Sequence, residues 1–254
     1  MIFYFTGTGN SWYAAEHLKT EGEKLVSIRD CMQKKQYEFD FAGEEQVGFV
    51  FPVYFWGLPS IVAEFIRRMK TKNRPAYTYA LMTCGGSIAN ASGMLDKVFK
   101  RKNWKLDAVY SLKMPDNYLL LFKPPTDEQV WKLLDEADAQ LAQFRKLIAL
   151  REVCATRGNL AQMLLSAAAY PLYVKGRKTA PFYADENCTG CGLCAGRCPA
   201  GAIEMRRNKP VWVKNQCVMC MSCTRCESIQ YGKRLLGKRR YANPDYHESR
   251  PETE

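Results

Sequence analysis

"MIFYFTGTGNSWYAA", residues 1–15, decides the fold. Ile2 to Phe5 is a short apolar run that ends at Gly7, the pattern of a strand buried on both faces. A helix is expected to begin near Asn10 or Ser11. The turn between them is Thr6, Gly7, Thr8, Gly9, Asn10 and Ser11. Its glycines let the backbone bend sharply and bring N–H groups close to an anion, and the helix N-terminus adds a positive dipole end. Thr6, Thr8 and Ser11 supply hydroxyls and Asn10 an amide, so a terminal phosphate can be held without a cationic side chain. Two rival phosphate loops are excluded. The third glycine of G-x-G-x-x-G is replaced by Trp12, and no G-x-x-x-x-G-K-[ST] run is present.

Further strands are expected in "EKLVSI" from Glu23, "QVGFVFPVYF" from Gln46, "YTYALMTC" from Tyr77 and "LDAVYSLKM" from Leu106. Helical stretches alternate with them: "IVAEFIRRM" after Pro59 and "NASGMLDKVFKR" from Asn90. Strands alternating with helices imply a doubly wound α/β fold. Five parallel strands suit the flavodoxin-like order 2-1-3-4-5, which binds its ligand at the carboxyl ends of the strands. The loop after strand three, Pro52, Val53, Tyr54, Phe55, Trp56 and Gly57, offers flat groups suited to stacking on a ring. The loop after strand four, Thr83, Cys84, Gly85, Gly86 and Ser87, lets a ring approach the backbone. Cys84 itself reads as a packing residue.

Eight of the eleven cysteines lie between residues 188 and 226; Cys31, Cys84 and Cys154 stand outside. Eleven cysteines in a chain with no visible signal peptide argue for metal rather than disulfides and for a cytoplasmic location. "CTGCGLCAGRCP" matches the bacterial ferredoxin run C-x-x-C-x-x-C-x-x-x-C-P in full, with Cys188, Cys191, Cys194, Cys198 and Pro199. "CVMCMSCTRC" begins its cysteines 29 residues later, so a duplicated unit is expected: a small α+β domain of the bacterial 2[4Fe-4S] ferredoxin type. Zinc fits poorly, because its sites pair ligands across a longer loop, often with histidine. In the crossed arrangement Cys188, Cys191, Cys194 and Cys226 hold one cube. Cys217, Cys220, Cys223 and Cys198 hold the other. The last gap of the second run has two residues instead of three, and Glu227 stands in place of proline. The irregularity touches only the crossing ligand Cys226.

A long helix is expected from Asp127 to Leu150. "LAQMLLSAAAYPLYV", Leu160 to Val174, is too short to span a bilayer and reads as a buried or docking helix, with a membrane-surface helix as its rival. The expected division is residues 1–153 for the ligand-binding domain, 154–180 for a helical connector and 181–254 for the cysteine-rich domain with a basic tail.

Taken together, "MIFYFTGTGNSWYAA", "FPVYFWGLPSIVAEFI", "TCGG", "MPDNYL" and the cysteine runs resemble the EFR-type family of ferredoxins fused to a flavodoxin-like domain. The resemblance implies FMN in the first domain and two [4Fe-4S] clusters in the second. It brings Asn117 and Tyr118 of "MPDNY" to the rim of the flavin site. With no second nucleotide fold and no catalytic triad or acid–base pair in the sequence, a flavin and clusters that exchange electrons read as an electron carrier working with a redox protein; the alternative is a flavin-dependent reductase of a small organic acceptor or quinone. Each oxidised cluster carries about −2 and a phosphorylated flavin about −2 more, so the net charge of +11 falls to roughly +5 once they are bound. The remaining excess suits an acidic partner. The run "KRLLGKRR" from Lys233 reads as part of that basic surface rather than as a nucleic-acid site. No signal in the sequence specifies the oligomeric state.

Overall fold

A computed structural model of the chain describes residues 1–43, 46–154 and 158–247. The first half runs β1 (Ile2–Tyr4), α1 (Asn10–Leu18), β2 (Leu25–Ser27), α2 (Ile28–Lys34), β3 (Glu38–Phe39), β4 (Gln46–Pro52), α3 (Ser60–Arg68), β5 (Lys70–Thr71), β6 (Tyr77–Cys84), α4 (Ala91–Lys100) and β7 (Ala108–Lys113). Five of these strands form a sheet in the order β2-β1-β4-β6-β7, with every pair parallel. Counted within that sheet, the order is 2-1-3-4-5. Its strands are nearly continuous hydrophobic runs because both faces are covered. Phe3, Phe49, Phe51 and Met82 pack on one face, and Ile2, Val50, Leu81 and Leu112 on the other.

The small pair β3 and β5 and the short helix α2 were not expected from the sequence. α2 follows β2 directly because Ser27 caps it, its hydroxyl accepting from the Asp30 N–H at 3.2 Å. The third sheet strand is shorter than the apolar run suggests: it ends at Pro52, and Val53 to Phe55 leave the sheet to form the site.

α5 (Asp127–Ala149) opens with a capping box between Thr126 and Gln129. α6 (Leu160–Gly176) opens with another, between Asn159 and Gln162. The cysteine-rich part follows: β8 (Phe182–Ala184), α7 (Leu193–Gly196), the hairpin β9 (Ile203–Arg206) and β10 (Lys209–Trp212), a 3₁₀ turn at Cys223–Arg225, and β11 (Ile229–Tyr231) pairing antiparallel with β8. This part has its own core around Phe182, Ile203, Met221 and Ile229. It is also interlocked with the sheet domain. Val218 and Cys220 share a buried cluster with Phe5, Phe51 and Leu58, while Tyr241 joins the cluster on the opposite face. None of the described helices is long and apolar enough to cross a membrane.

Candidate flavin and iron–sulfur site

The carboxyl ends of β1, β4 and β6 open onto one cavity of about 400 Å³, within the range of small-molecule sites. All the flavin-site candidates except Gly9 and Gly57 line it. The sequence reading missed Met114, Pro115, Asp116, Leu121, Phe122, Tyr173 and Met219, which complete the wall.

The phosphate loop is built by hydrogen bonds that leave donors available. The Gly9 N–H donates to Thr6 Oγ1 at 2.9 Å, and the Asn117 amide donates to Thr8 Oγ1. Each threonine oxygen is therefore an acceptor already, and its own hydrogen is free to point at an anion. The first N–H groups of α1 have no intrahelical partner. Asn10 behaves differently from expectation: its amide donates to Pro115 O at 2.9 Å and its carbonyl accepts from the Tyr241 hydroxyl at 2.6 Å. It braces the loop. Ser11 is similarly tied to Thr83, oxygen to oxygen at 2.7 Å.

Gly9 sits outside the cavity because its φ of 105° turns its open side to the C-terminal segment. An added Cβ would lie 2.5 Å from Tyr246 Cβ and 2.8 Å from Asn243 Cβ. The Asn243 N–H donates to Thr8 O at 2.7 Å, and the Tyr246 ring packs on Trp12 with centroids 5.2 Å apart. The C-terminal segment thus supports the phosphate loop from behind.

The aromatic loop is a two-residue hairpin. Tyr54 and Gly57 exchange both backbone bonds at 3.0 Å, and Phe55 and Trp56 between them have φ values of 48° and 55°. Left-handed backbone at two bulky residues costs roughly 1–3 kcal/mol each and is kept where the surroundings impose it. Those surroundings are α6. Its Ser166 hydroxyl donates to Trp56 O at 2.8 Å, and its Tyr170 hydroxyl to Leu58 O at 2.9 Å. The Tyr54 hydroxyl is buried with no hydrogen-bond partner among the described residues, and burial raises its pKa well above the ordinary value. This loop, the open loop after β6 and the phosphate cradle fit a phosphorylated flat ring. Cys84 packs against Ser111 at 3.7 Å, its thiol raised by burial, as expected of a packing residue.

The cysteines sort into two neighbourhoods. The Cys194 thiol, pushed up to about 11 mainly by burial, also feels the charges of Cys188, Cys226 and Cys191. Cys220, pushed up to about 12 by burial, feels Cys198 and Cys217; Cys223, also raised by burial, feels Cys220, Cys217 and Cys198 before Cys194. Among the described residues no three His, Cys, Asp or Glu side chains converge on a single-ion site. A cube, whose irons occupy separate corners, takes its thiolates further apart. Backbone donors already face the sulfurs: the Ala202 N–H donates to Cys198 Sγ at 3.2 Å and the Met219 N–H to Cys217 Sγ at 3.3 Å. The shortened gap before Cys226 is taken up by the 3₁₀ turn, whose Cys226 N–H donates to Cys223 O at 3.3 Å.

The two sites touch. Met219, between two cysteines of the second run, forms part of the flavin cavity wall. Cys220 O lies 2.0 Å from where a Cβ on Gly7 would stand. The Tyr173 hydroxyl joins the second run to α3, donating to Val218 O at 3.1 Å while accepting from the Ser60 N–H at 3.1 Å.

Comparison with known proteins matches two separate segments of the chain. Residues 1–113 match the flavodoxin-domain family, and residues 181–204 match the 4Fe-4S binding domain. A 54-residue stretch is 33% identical to the DNA-directed RNA polymerase subunit Rpo3 of Methanosarcina mazei, covering 21% of this chain and 20% of that protein. The chain therefore spans about a fifth of the length of the curated relative it matches. Similar solved structures include the FMN-dependent NADH-azoreductase of Bacillus anthracis, with 8% identity, 57% of this chain and 98% of that chain covered and a TM-score of 0.34. The flavodoxin of Streptococcus pneumoniae gives 13% identity, 56% and 97% coverage and a TM-score of 0.29. The Trp repressor binding protein of Bacillus subtilis gives 12% identity, 56% and 96% coverage and a TM-score of 0.36. Residues 1–113 are a flavodoxin-like domain and residues 181–204 carry a 4Fe-4S ferredoxin domain, joined in one chain, and these two domains imply FMN and [4Fe-4S] as its cofactors.

Proposed function

We propose that this chain passes electrons between FMN, two [4Fe-4S] clusters and a redox partner. In this reading residues 1–153 hold the flavin, 154–180 connect, and 181–254 hold the clusters. Thr6, Gly7, Thr8 and Ser11 take the phosphate, with Asn10 and Gly9 setting the loop. Tyr54 to Gly57 and Thr83 to Ser87 flank the ring, with Pro52, Val53, Asn117 and Tyr118 at its edges. Cys188, Cys191, Cys194 and Cys226 hold cluster one; Cys198, Cys217, Cys220 and Cys223 hold cluster two. FMN, when bound, supplies a group that exchanges electrons in pairs or singly. The chain's part is to hold the ring against the cluster-two loop, away from bulk water.

The observation that carries this reading is the contact just described: the loop from Cys217 to Cys223 is a wall of the flavin cavity through Met219. Two cofactor sites with separate tasks have no need to share a wall. Anaerobic purification and reconstitution should give about one FMN per chain and about eight iron atoms, as two four-iron cubes require. FAD as the main heat-released flavin, or iron that stays near four, would reject it.

The partner we infer is an acidic redox protein docking beside cluster one. Cys191 is the exposed cysteine there. The turn of the β9–β10 hairpin packs on the neighbouring Gly190 through Asn208, with Arg206, Arg207 and Lys209 exposed, and Lys209 Nζ donates to Cys188 O at 3.1 Å. Association with an acidic ferredoxin should slow steeply as salt rises; a rate indifferent to salt would remove this partner class. A second reading, reduction of a small organic acceptor at the flavin, draws on the apolar mouth of the cavity at Leu121 and Phe122.

A further inference from the structure

α6 has an unusual surface. From Leu160 to Val174 it contains no charged residue. Its inner side is occupied: Ser166, Ala169 and Tyr173 are buried against the aromatic loop and the second cysteine run. Its outer side leaves Leu160 71%, Leu164 62% and Leu172 63% exposed. A helix apolar all round is normally enclosed or in contact with lipid, and an exposed apolar patch of this kind marks an interaction surface.

The patch continues around the cavity mouth. The Phe55 ring lies 5.4 Å from Tyr118 and 6.3 Å from Tyr173, centroid to centroid, so the Tyr118–Phe122 turn and α6 stand on either side of it. Leu121 and Phe122 on that turn are more than half exposed. The basic run is fastened to the same turn, since Lys238 Nζ donates to Leu119 O and to Phe122 O, and it adds the exposed Leu236. The charge is mainly positive: no acidic residue occurs from Leu160 to Ala184 or from Ser228 to Pro244, while Lys175, Lys178, Lys233 and Arg234 are exposed there, and the neighbouring Asp127 is paired with Arg239.

We propose that this face, the outer side of α6 with the Leu119–Phe122 turn and the Lys233–Arg240 run, docks the chain on the interface of an anionic lipid bilayer. Large apolar side chains enter the acyl boundary while lysine and arginine stay at the headgroups. The helix is too short to span, so it lies in the plane. A second copy of the chain would set like charges against each other. An acidic protein would match the charge but leave the run of leucines without a role. This surface goes beyond the electron-transfer reading and does not depend on it.

Flotation of the cofactor-loaded full chain with vesicles tests it. The chain should rise with mixed phosphatidylglycerol–phosphatidylcholine vesicles and much less with phosphatidylcholine alone. Leu160→Gln/Leu164→Gln/Leu172→Gln, all at exposed positions, should cut the bound fraction about tenfold or more, with flavin and cluster spectra unchanged. Lys175→Gln/Lys233→Gln/Arg234→Gln should do the same on anionic vesicles. A wild-type chain that stays at the bottom with every vesicle, or variants that float like the wild type, would overturn the proposal. So would a dimer in sedimentation equilibrium that the leucine variant abolishes. Flavin and cluster content, measured without vesicles, separately judges the electron-transfer reading.

Discussion

Gly7→Ala protein, purified without oxygen, is expected to lose FMN and cluster two together while keeping cluster one. The added methyl would sit 2.0 Å from Cys220 O and 3.2 Å from Cys220 Cβ. The obstacle is backbone, which cannot swing aside as a side-chain tip can. Either the phosphate loop moves out of the cavity, or the chain around Cys220 moves away from its cluster. Overpacking of this kind costs roughly 1–3 kcal/mol, so FMN affinity should fall by about one to two decades. Gly176→Ala is the matching control, since nothing lies within 4 Å of its added methyl. Titration with FMN, together with iron analysis, reads both effects. A Gly7→Ala protein with normal FMN affinity and full iron would show that the two loops are not interlocked.

The second large effect is expected from exchanging the crossing cysteines. Cys198→Ala should remove the cluster that lies against the flavin, and Cys226→Ala should damage the distal one. In each case iron should fall from about eight to about four per chain. The proposed ligand sets place Cys198 with Cys217, Cys220 and Cys223, whose thiols are raised in part by Cys198, and Cys226 with Cys194, whose thiol is raised in part by Cys226. Electron paramagnetic resonance of the reduced proteins should then show one cluster in each variant, with different spectra. The rival arrangement leaves Cys226 unliganded. A three-iron signal in anaerobic wild type that Cys226→Ala leaves unaltered would favour it.

The sheet and the cluster runs were legible in the sequence because their signals are local. Apolar runs of strand length alternate with helical ones, and the glycines of "TGTGNS" and the cysteine spacings each imply a conformation without reference to the rest of the chain. Tyr173 and Met219 were not legible as cavity residues. They reach the flavin site from 86 and 132 residues beyond Ser87, through α6 and through the second cysteine run. Nothing local distinguishes them from ordinary core side chains. The bracing of the phosphate loop by Tyr241, Asn243 and Tyr246 was hidden for the same reason. Phe55 and Trp56 were recognised as aromatics of the site, but their left-handed backbone runs against the preference of bulky residues and follows from the contacts of Trp56 and Leu58 with α6. The short gap before Cys226 needed the observed 3₁₀ turn to be understood.

The account rests on adjoining flavin and cluster sites within one molecule, and anaerobic stopped-flow spectroscopy tests that most directly. The fully loaded chain is mixed with a limiting amount of a low-potential one-electron donor, and the flavin and iron–sulfur absorbances are followed across a range of protein concentrations. After the initial donor reaction, both absorbances should relax in a shared first-order phase whose rate does not depend on protein concentration, and Cys198→Ala should abolish that phase. Separate phases for flavin and clusters, or a shared phase whose rate rises in proportion to protein concentration, would contradict it.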